Sequence, residues 1–260
     1  MLKIKDLEKS FDGVPVLNRL TLTVKRGEVL VVIGPSGCGK STLLRCLNGL
    51  EPVNGGQIVF EGQILTSFQT SWSRVRQRIG MVFQNYELFP HFNVLENILL
   101  GPVRVQGRKK SEALEKAEFW LNRVGLWDRR ESFPRQLSGG QKQRVAIVRA
   151  LAMDPEIMLF DEVTASLDPE MVREVLDVIL NLAKEGLTMI IVTHEMAFAR
   201  AVADRIIFID QGVIVEDSPP ETFFENPATD RARRFLNIFQ FDGVQRGSRG
   251  TGPKTVPVRL

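Results

Sequence analysis

The chain has 260 residues, 43% hydrophobic and 25% charged, ordinary proportions for a globular protein able to bury a core. Its longest apolar runs, VLVVI (29–33) and MIIV (189–192), are far too short to cross a bilayer. A net charge of +3, with Lys and Arg scattered among acids, argues against nucleic acid as a partner. The opening MLKIKDLEKSF is too charged for a secretory signal, and the two cysteines suit a reducing compartment, so a cytosolic protein is expected. Cys38 and Cys46, eight residues apart and mostly along one predicted helix, would lie roughly 12 Å apart, beyond the reach of a disulfide.

Taken in chain order, LKIKDL (2–7), LTLTVK (20–25) and GQIVFEG (56–62) alternate in the manner of antiparallel strands. VLVVI (29–33), IMLF (157–160), MIIV (189–192) and RIIFI (205–209) are solid apolar runs, as in strands buried on both faces of a parallel sheet. Residues 85–135 break that rhythm. There SEALEKAEFWLNRVGL sets Leu114, Ala117, Leu121 and Val124 at helical spacing, with Gly125 as C-cap. EMVREVLDVILNLAKEG (170–186) places Met171, Val175, Ile179 and Leu182 on one stripe, capped by Gly186. Strand–helix alternation predicts an α/β core with right-handed crossovers. From 242 to 260, Gly, Pro and Arg without apolar period predict disorder.

GPSGCGKST (34–42) follows a strand and opens a helix, the context the phosphate-loop pattern demands. Gly34, Pro35, Ser36, Gly37, Cys38, Gly39, Lys40, Ser41 and Thr42 are therefore expected to hold a triphosphate. Lys40 would reach its β/γ oxygens and the Ser41 hydroxyl would ligate Mg²⁺, at a helix N-terminus that favours anions. The same N-terminus would favour a thiolate at Cys38. IMLFDE ends a strand with two acids: Asp161 could hold Mg²⁺ and Glu162 could polarise an attacking water. IVTHEM ends another strand with His194; it is no zinc motif, because HExxH needs a second His where Phe198 stands. VFQ ends a third with Gln84, whose amide oxygen could reach a metal or water.

QLSGGQKQR (136–144) looks like a second phosphate-binding turn, a Ser and two Gly leading into a helix. A phosphate loop, VFQ, LSGGQ, LFDE and VTH in this order and spacing resemble the ATPase subunit of an ABC transporter over about residues 1–240. The resemblance implies a fold class: α/β, with a P-loop NTPase core and mostly parallel sheet, an N-terminal antiparallel β subdomain and an inserted α-helical subdomain. The core would span 1–84 and 136–241, and the helical insertion 85–135. It further implies that Phe11 stacks on adenine with Val16 packed nearby. Gln84 would contact Mg²⁺ and the attacking water, with Glu162 as catalytic base and His194 as the switch at the γ-phosphate. The loop ending in Asp168 would cross a dimer interface. In such proteins two subunits pair head to tail, so Ser138, Gly139, Gly140 and Gln141 would serve the partner subunit's ATP. Two cradles per chain make two composite sites per dimer. One departure stands out: the family usually has Pro after the catalytic Glu, then Thr-Ser-Ala, whereas this chain has Val163 and then Thr-Ala-Ser.

An ATPase of this kind works for a transmembrane permease, which would dock a short helix beside NYELFPHFNVLENILLGP (85–102). That stretch and THEMAFARAVADRIIFIDQGVIVE (193–216) resemble subunits of bacterial polar-amino-acid uptake systems, and the chain ends without the regulatory domain of sugar-importer relatives. The expectation is an importer subunit for a polar amino acid or related zwitterion, peripheral on the cytoplasmic face of the membrane, homodimeric, and served indirectly by a substrate-binding protein. Lipoprotein-release, cell-division and non-transport ABC ATPases are the alternatives.

Overall fold

The structure, a computed structural model, describes residues 1–238; the tail expected to be disordered lies outside the described residues. β1 (Leu2–Phe11) and β2 (Val14–Val24) form an antiparallel hairpin whose two-residue turn, Asp12-Gly13, has positive φ at both positions (49° and 81°). That is the type I′ geometry which Asp-Gly favours. β3 (Val29–Ile33) leads through the phosphate loop into α1 (Lys40–Leu47). β4 (Gly55–Phe60) pairs with the other side of β1, and the short β5 (Gln63–Ile64) completes a four-stranded antiparallel sheet ordered β2-β1-β4-β5.

After α2 (Trp72–Arg78) and β6 (Ile79–Val82) the chain turns helical: α3 (Val94–Leu100), a single π turn (Gly101–Val105), α4 (Lys110–Arg123) and α5 (Gly139–Leu151). Strands then alternate with helices: β7 (Ile157–Asp161), α6 (Pro169–Lys184), β8 (Thr188–Val192), α7 (Met196–Val202) and β9 (Arg205–Asp210). β10 (Val213–Ser218), α8 (Pro220–Glu225) and α9 (Asp230–Asn237) follow. The second sheet has six strands ordered β10-β9-β3-β8-β7-β6, all parallel to their neighbours except β10.

Every residue of β3, β7 and β8 is buried, because helices or the other sheet cover both faces. Alternation along β3 divides the core. Leu30 and Val32 pack with Leu43, Leu44 and Leu47 of α1 and with the antiparallel sheet, whereas Val29, Val31 and Ile33 join Val175, Ile179 and Leu182 of α6. α6 buries the stripe its sequence predicts, with Met171 half-buried, and Gly186 takes φ +78° just beyond its end.

The helical stretch has its own core, built from Val94 and Ile98 of α3, Ala117 and Leu121 of α4, and Val145 and Val148 of α5. In α4 the expected stripe holds at Ala117, Leu121 and Val124 and differs only at its first position, where Ala113 is buried and Leu114 is half-buried. A small side chain lets neighbouring helices approach, and the larger one lies at the margin. Asp154, in the corner between α5 and β7, pairs with Arg108 at 2.7 Å and with Lys116, so both sides of the α4 entry are fastened there. Among the described residues no helix is long and apolar enough to cross a membrane.

Candidate nucleotide site

The loop between β3 and α1 admits only glycine at two close approaches. A Cβ on Gly34 would fall 2.1 Å from the Ile209 carbonyl oxygen, and one on Gly39, at φ +105°, would fall 2.8 Å from that of Val16. The backbone therefore bends tightly and leaves the start of α1 without a side-chain cap, its N–H groups available to an anion. Lys40 is 4% exposed and folds over the loop, donating to the Gly34 and Pro35 carbonyls at 2.9 Å each. The Ser41 hydroxyl donates to Asp161 Oδ1 at 2.6 Å. A hollow of about 260 Å³ is lined by Ser36, Gly37, Gly39, Lys40, Ser41, Thr42 and Glu162.

Two acids end β7 in different environments. Asp161 is buried, and desolvation pushes its carboxyl above the usual carboxylate range, against the Ser41 hydrogen bond and the Arg45 charge that lower it. Glu162 leaves the strand with φ +47°, an uncommon conformation for a residue with a side chain, and its N–H donates to the Val192 carbonyl at 3.0 Å. That geometry brings its carboxylate to His194, whose Nε2 donates to Glu162 Oε1 at 2.9 Å, with Lys40 Nζ 3.9 Å from the same oxygen. Val163, in place of the usual proline, is 4% exposed and packs in the core beneath.

Cys38 departs from the sequence expectation. Its side chain is buried behind Gly34, and desolvation raises its thiol above the ordinary value, although the Lys40 charge pulls the other way. Burial outweighs the helix N-terminus here, so thiolate is disfavoured.

Lys40, Ser41, Asp161, Glu162 and His194 thus converge, and Val16 packs against the loop at Gly39. The second cradle lies apart from them. Ser138 caps α5, accepting from the Gln141 N–H at 3.2 Å while Gln141 Oε1 accepts from the Ser138 N–H at 3.0 Å, and none of this turn lines the loop's hollow. Gly140 is closed against α6: its N–H donates to Met171 Sδ at 3.3 Å, and a Cβ there would fall 2.9 Å from Met171 Cβ. Asp168 precedes α6, exposed and without a cap hydrogen bond. Gln84 is exposed beyond β6, and Phe11, at the end of β1, is 40% exposed.

The residues that hold the Gln84 loop escaped the sequence reading. Gln143, fully buried on α5, donates from Nε2 to the Phe83 carbonyl at 3.2 Å. Arg149, six residues further along α5, donates to the Tyr86 and Glu87 carbonyls at 3.2 and 2.5 Å. Asn97 of α3 donates to the Phe89 and Phe92 carbonyls and accepts from the Phe89 N–H. Their one legible signal is a polar side chain on the inward stripe of an apolar helix.

Residues 17–165 match the sequence profile of a family described as ABC transporter. The chain is 56% identical over 236 residues to the arginine transport ATP-binding protein of Bacillus subtilis, covering 91% of this chain and 98% of that one. It is 55% identical, with the same coverage, to the glutamate/aspartate import ATP-binding protein of Escherichia coli. Its fold is similar to the dimeric post-hydrolysis state of an ATP-binding cassette bound to ADP and Pi. The TM-score is 0.77 at 31% identity, covering 85% of this chain and 99% of that one.

Proposed function

The chain belongs to the ABC transporter family, and on that premise we infer that it is the ATP-binding, ATP-hydrolysing subunit of an importer for a polar amino acid or related zwitterion. One observation carries the enzymatic reading: the Glu162 carboxylate is held between His194 and Lys40 at the rim of the phosphate loop. A base in that position is within reach of a water attacking a γ-phosphate cradled by the loop. Lys40 exchanges its contacts with the loop carbonyls for the β/γ oxygens, and His194 senses the γ-phosphate. Phe11 stacks on the adenine, beside Val16.

The oxygens of Ser41 and Asp161, 2.6 Å apart, suit Mg²⁺, which takes few protein ligands when phosphates supply the rest. Among the described residues no group of three His, Cys, Asp or Glu gathers into an all-protein cage, in keeping with that mode. Bound there, with Gln84 as a further oxygen donor, Mg²⁺ would neutralise charge on the β- and γ-phosphates.

Two chains pair head to tail, Ser138, Gly139, Gly140 and Gln141 of each meeting the ATP held by the other, with Asp168 at the seam. The separation of this turn from the loop's hollow within one chain supports the arrangement. The permease docks in a groove of about 810 Å³ lined by Phe83, Glu87, Phe89, Leu100 and Arg149 among others. A substrate-binding protein delivers the solute from outside, and the ATPase stays peripheral on the cytoplasmic face. Relatives named for arginine and for glutamate/aspartate transport support the amino-acid assignment.

Reconstitution with a polar-amino-acid permease from the same organism, in vesicles holding Mg-ATP, tests the reading. Uptake of a radiolabelled polar amino acid should require ATP and be lost with Glu162→Gln. ATP-independent uptake, or hydrolysis that no polar amino acid stimulates, overturns it.

A further inference from the structure

Lys9 lies two residues before Phe11 on β1, and its side chain is only 7% exposed. A lysine is rarely so buried unless its charge is matched. Here the ammonium donates to the Pro52 carbonyl at 2.9 Å, pairs with Glu51 at 3.2 Å, and sits 4.4 Å from the centroid of the Phe11 ring. The segment bearing those two partners is itself fixed to β1. The Asn54 N–H donates to the Glu8 carbonyl at 2.8 Å, and the Ser10 N–H donates to Asn54 Oδ1 at 2.7 Å. The buried ammonium lies over the Phe11 ring, and the residue nevertheless remains 40% exposed, which leaves surface on which a base can stack.

We propose that Lys9 is a positioning residue for nucleobase recognition, holding Phe11 from behind as a fixed stacking platform for the adenine of ATP. The proposal rests on the reading of Phe11 as the adenine-stacking residue. Two physical effects combine. An aromatic ring already fixed by its cation loses less freedom when a base stacks on it. A cation on one face also draws the ring's electron density toward itself, which favours an electron-rich purine on the opposite face. Neither effect touches the triphosphate, because every Lys9 partner lies outside the phosphate loop.

That separation gives the test. Equilibrium binding to the full chain is measured for Mg-ATP and for Mg-tripolyphosphate, which shares the phosphates but has no base. Lys9→Met, which keeps the length and removes the charge, should weaken ATP by about fivefold while tripolyphosphate stays within about twofold, and Lys9→Arg should restore ATP. Phe11→Ala should weaken ATP by about tenfold or more with tripolyphosphate again unchanged. If Phe11→Ala lowers ATP affinity and Lys9→Met leaves it as in the parent chain, the role of Lys9 is overturned and base stacking stands. If Phe11→Ala binds ATP like the parent, the stacking reading itself fails. Equal losses of ATP and tripolyphosphate in Lys9→Met make the residue a general structural support and also overturn the proposal.

Discussion

His194 Nε2 donates to Glu162 Oε1 at 2.9 Å, and the register of two neighbouring parallel strands sets the pair. Asp161 lies opposite Val192, so the residues just beyond each strand end emerge side by side. Replacing Glu162 with Gln keeps the size and removes the base, while Lys40, Ser41 and Asp161 remain to bind nucleotide. Hydrolysis should fall by about 100-fold or more, the usual contribution of a positioned general base. ATP should still bind and hold two chains together, and ADP should not. Turnover assays and size-exclusion chromatography with each nucleotide check this; a near-parental rate removes Glu162 from the role of base.

Lys40→Ala removes the one buried cation of the phosphate loop's hollow, so ATP affinity should drop by about 100-fold. Ser138→Arg should leave ATP binding to its own loop intact and still lack turnover. Mixed, the two inactive chains should recover activity, because a heterodimer pairs an intact loop from the Ser138→Arg chain with an intact cap from the Lys40→Ala chain. Full activity of Ser138→Arg alone contradicts head-to-tail pairing.

Cys38 bears on chemical inactivation. Its thiol is raised by burial, so thiolate is scarce at neutral pH and grows only as pH climbs beyond the ordinary thiol range. Alkylation by iodoacetamide should therefore be slower at neutral pH than that of a free cysteine. It should accelerate on the alkaline side and slow further when ATP covers the loop. A rate at neutral pH matching free cysteine contradicts the burial.

Cys46 ties stability to alkaline pH. Burial pushes its thiol from 9.0 to about 12, so between those values the folded chain keeps a proton that the unfolded chain releases. The contribution is full below about pH 9 and is lost as pH rises toward 12, at up to about 1.4 kcal/mol per pH unit. Denaturant melts at graded pH should show a shallower alkaline decline for Cys46→Ala than for the parent chain. Parallel declines sink the assignment.

The strands of the parallel sheet were legible because burial on both faces leaves unbroken apolar runs, as in VLVVI. The carboxylates were legible because a strand's end fixes where the next two side chains emerge. Glu162's positive φ was not, since nothing in IMLFDE distinguishes a strained exit from an ordinary one. Cys38 misled for a related reason: sequence places it at a helix N-terminus, but only the packing of Gly34 against Ile209 shows that it is shut away from water. Leu114 gave way to Ala113 because helical spacing alone does not say which of two adjacent residues faces a close neighbour. β10 was missed because it is only partly buried and its pattern mixes acids with valines.

α5 runs thirteen residues from the Ser138 cap, about 20 Å, to the corner where Asp154 holds Arg108 and Lys116. Gln143 and Arg149 stitch the Phe83, Tyr86 and Glu87 carbonyls to its flank. The helix therefore gives its Ser138 end and the chain beside Gln84 one common support. Through Ala146 and Ile147 it also shares a core with Phe160 and Val163, which flank Asp161 and Glu162, so the cap, the Gln84 loop and the two acids are parts of one packed unit.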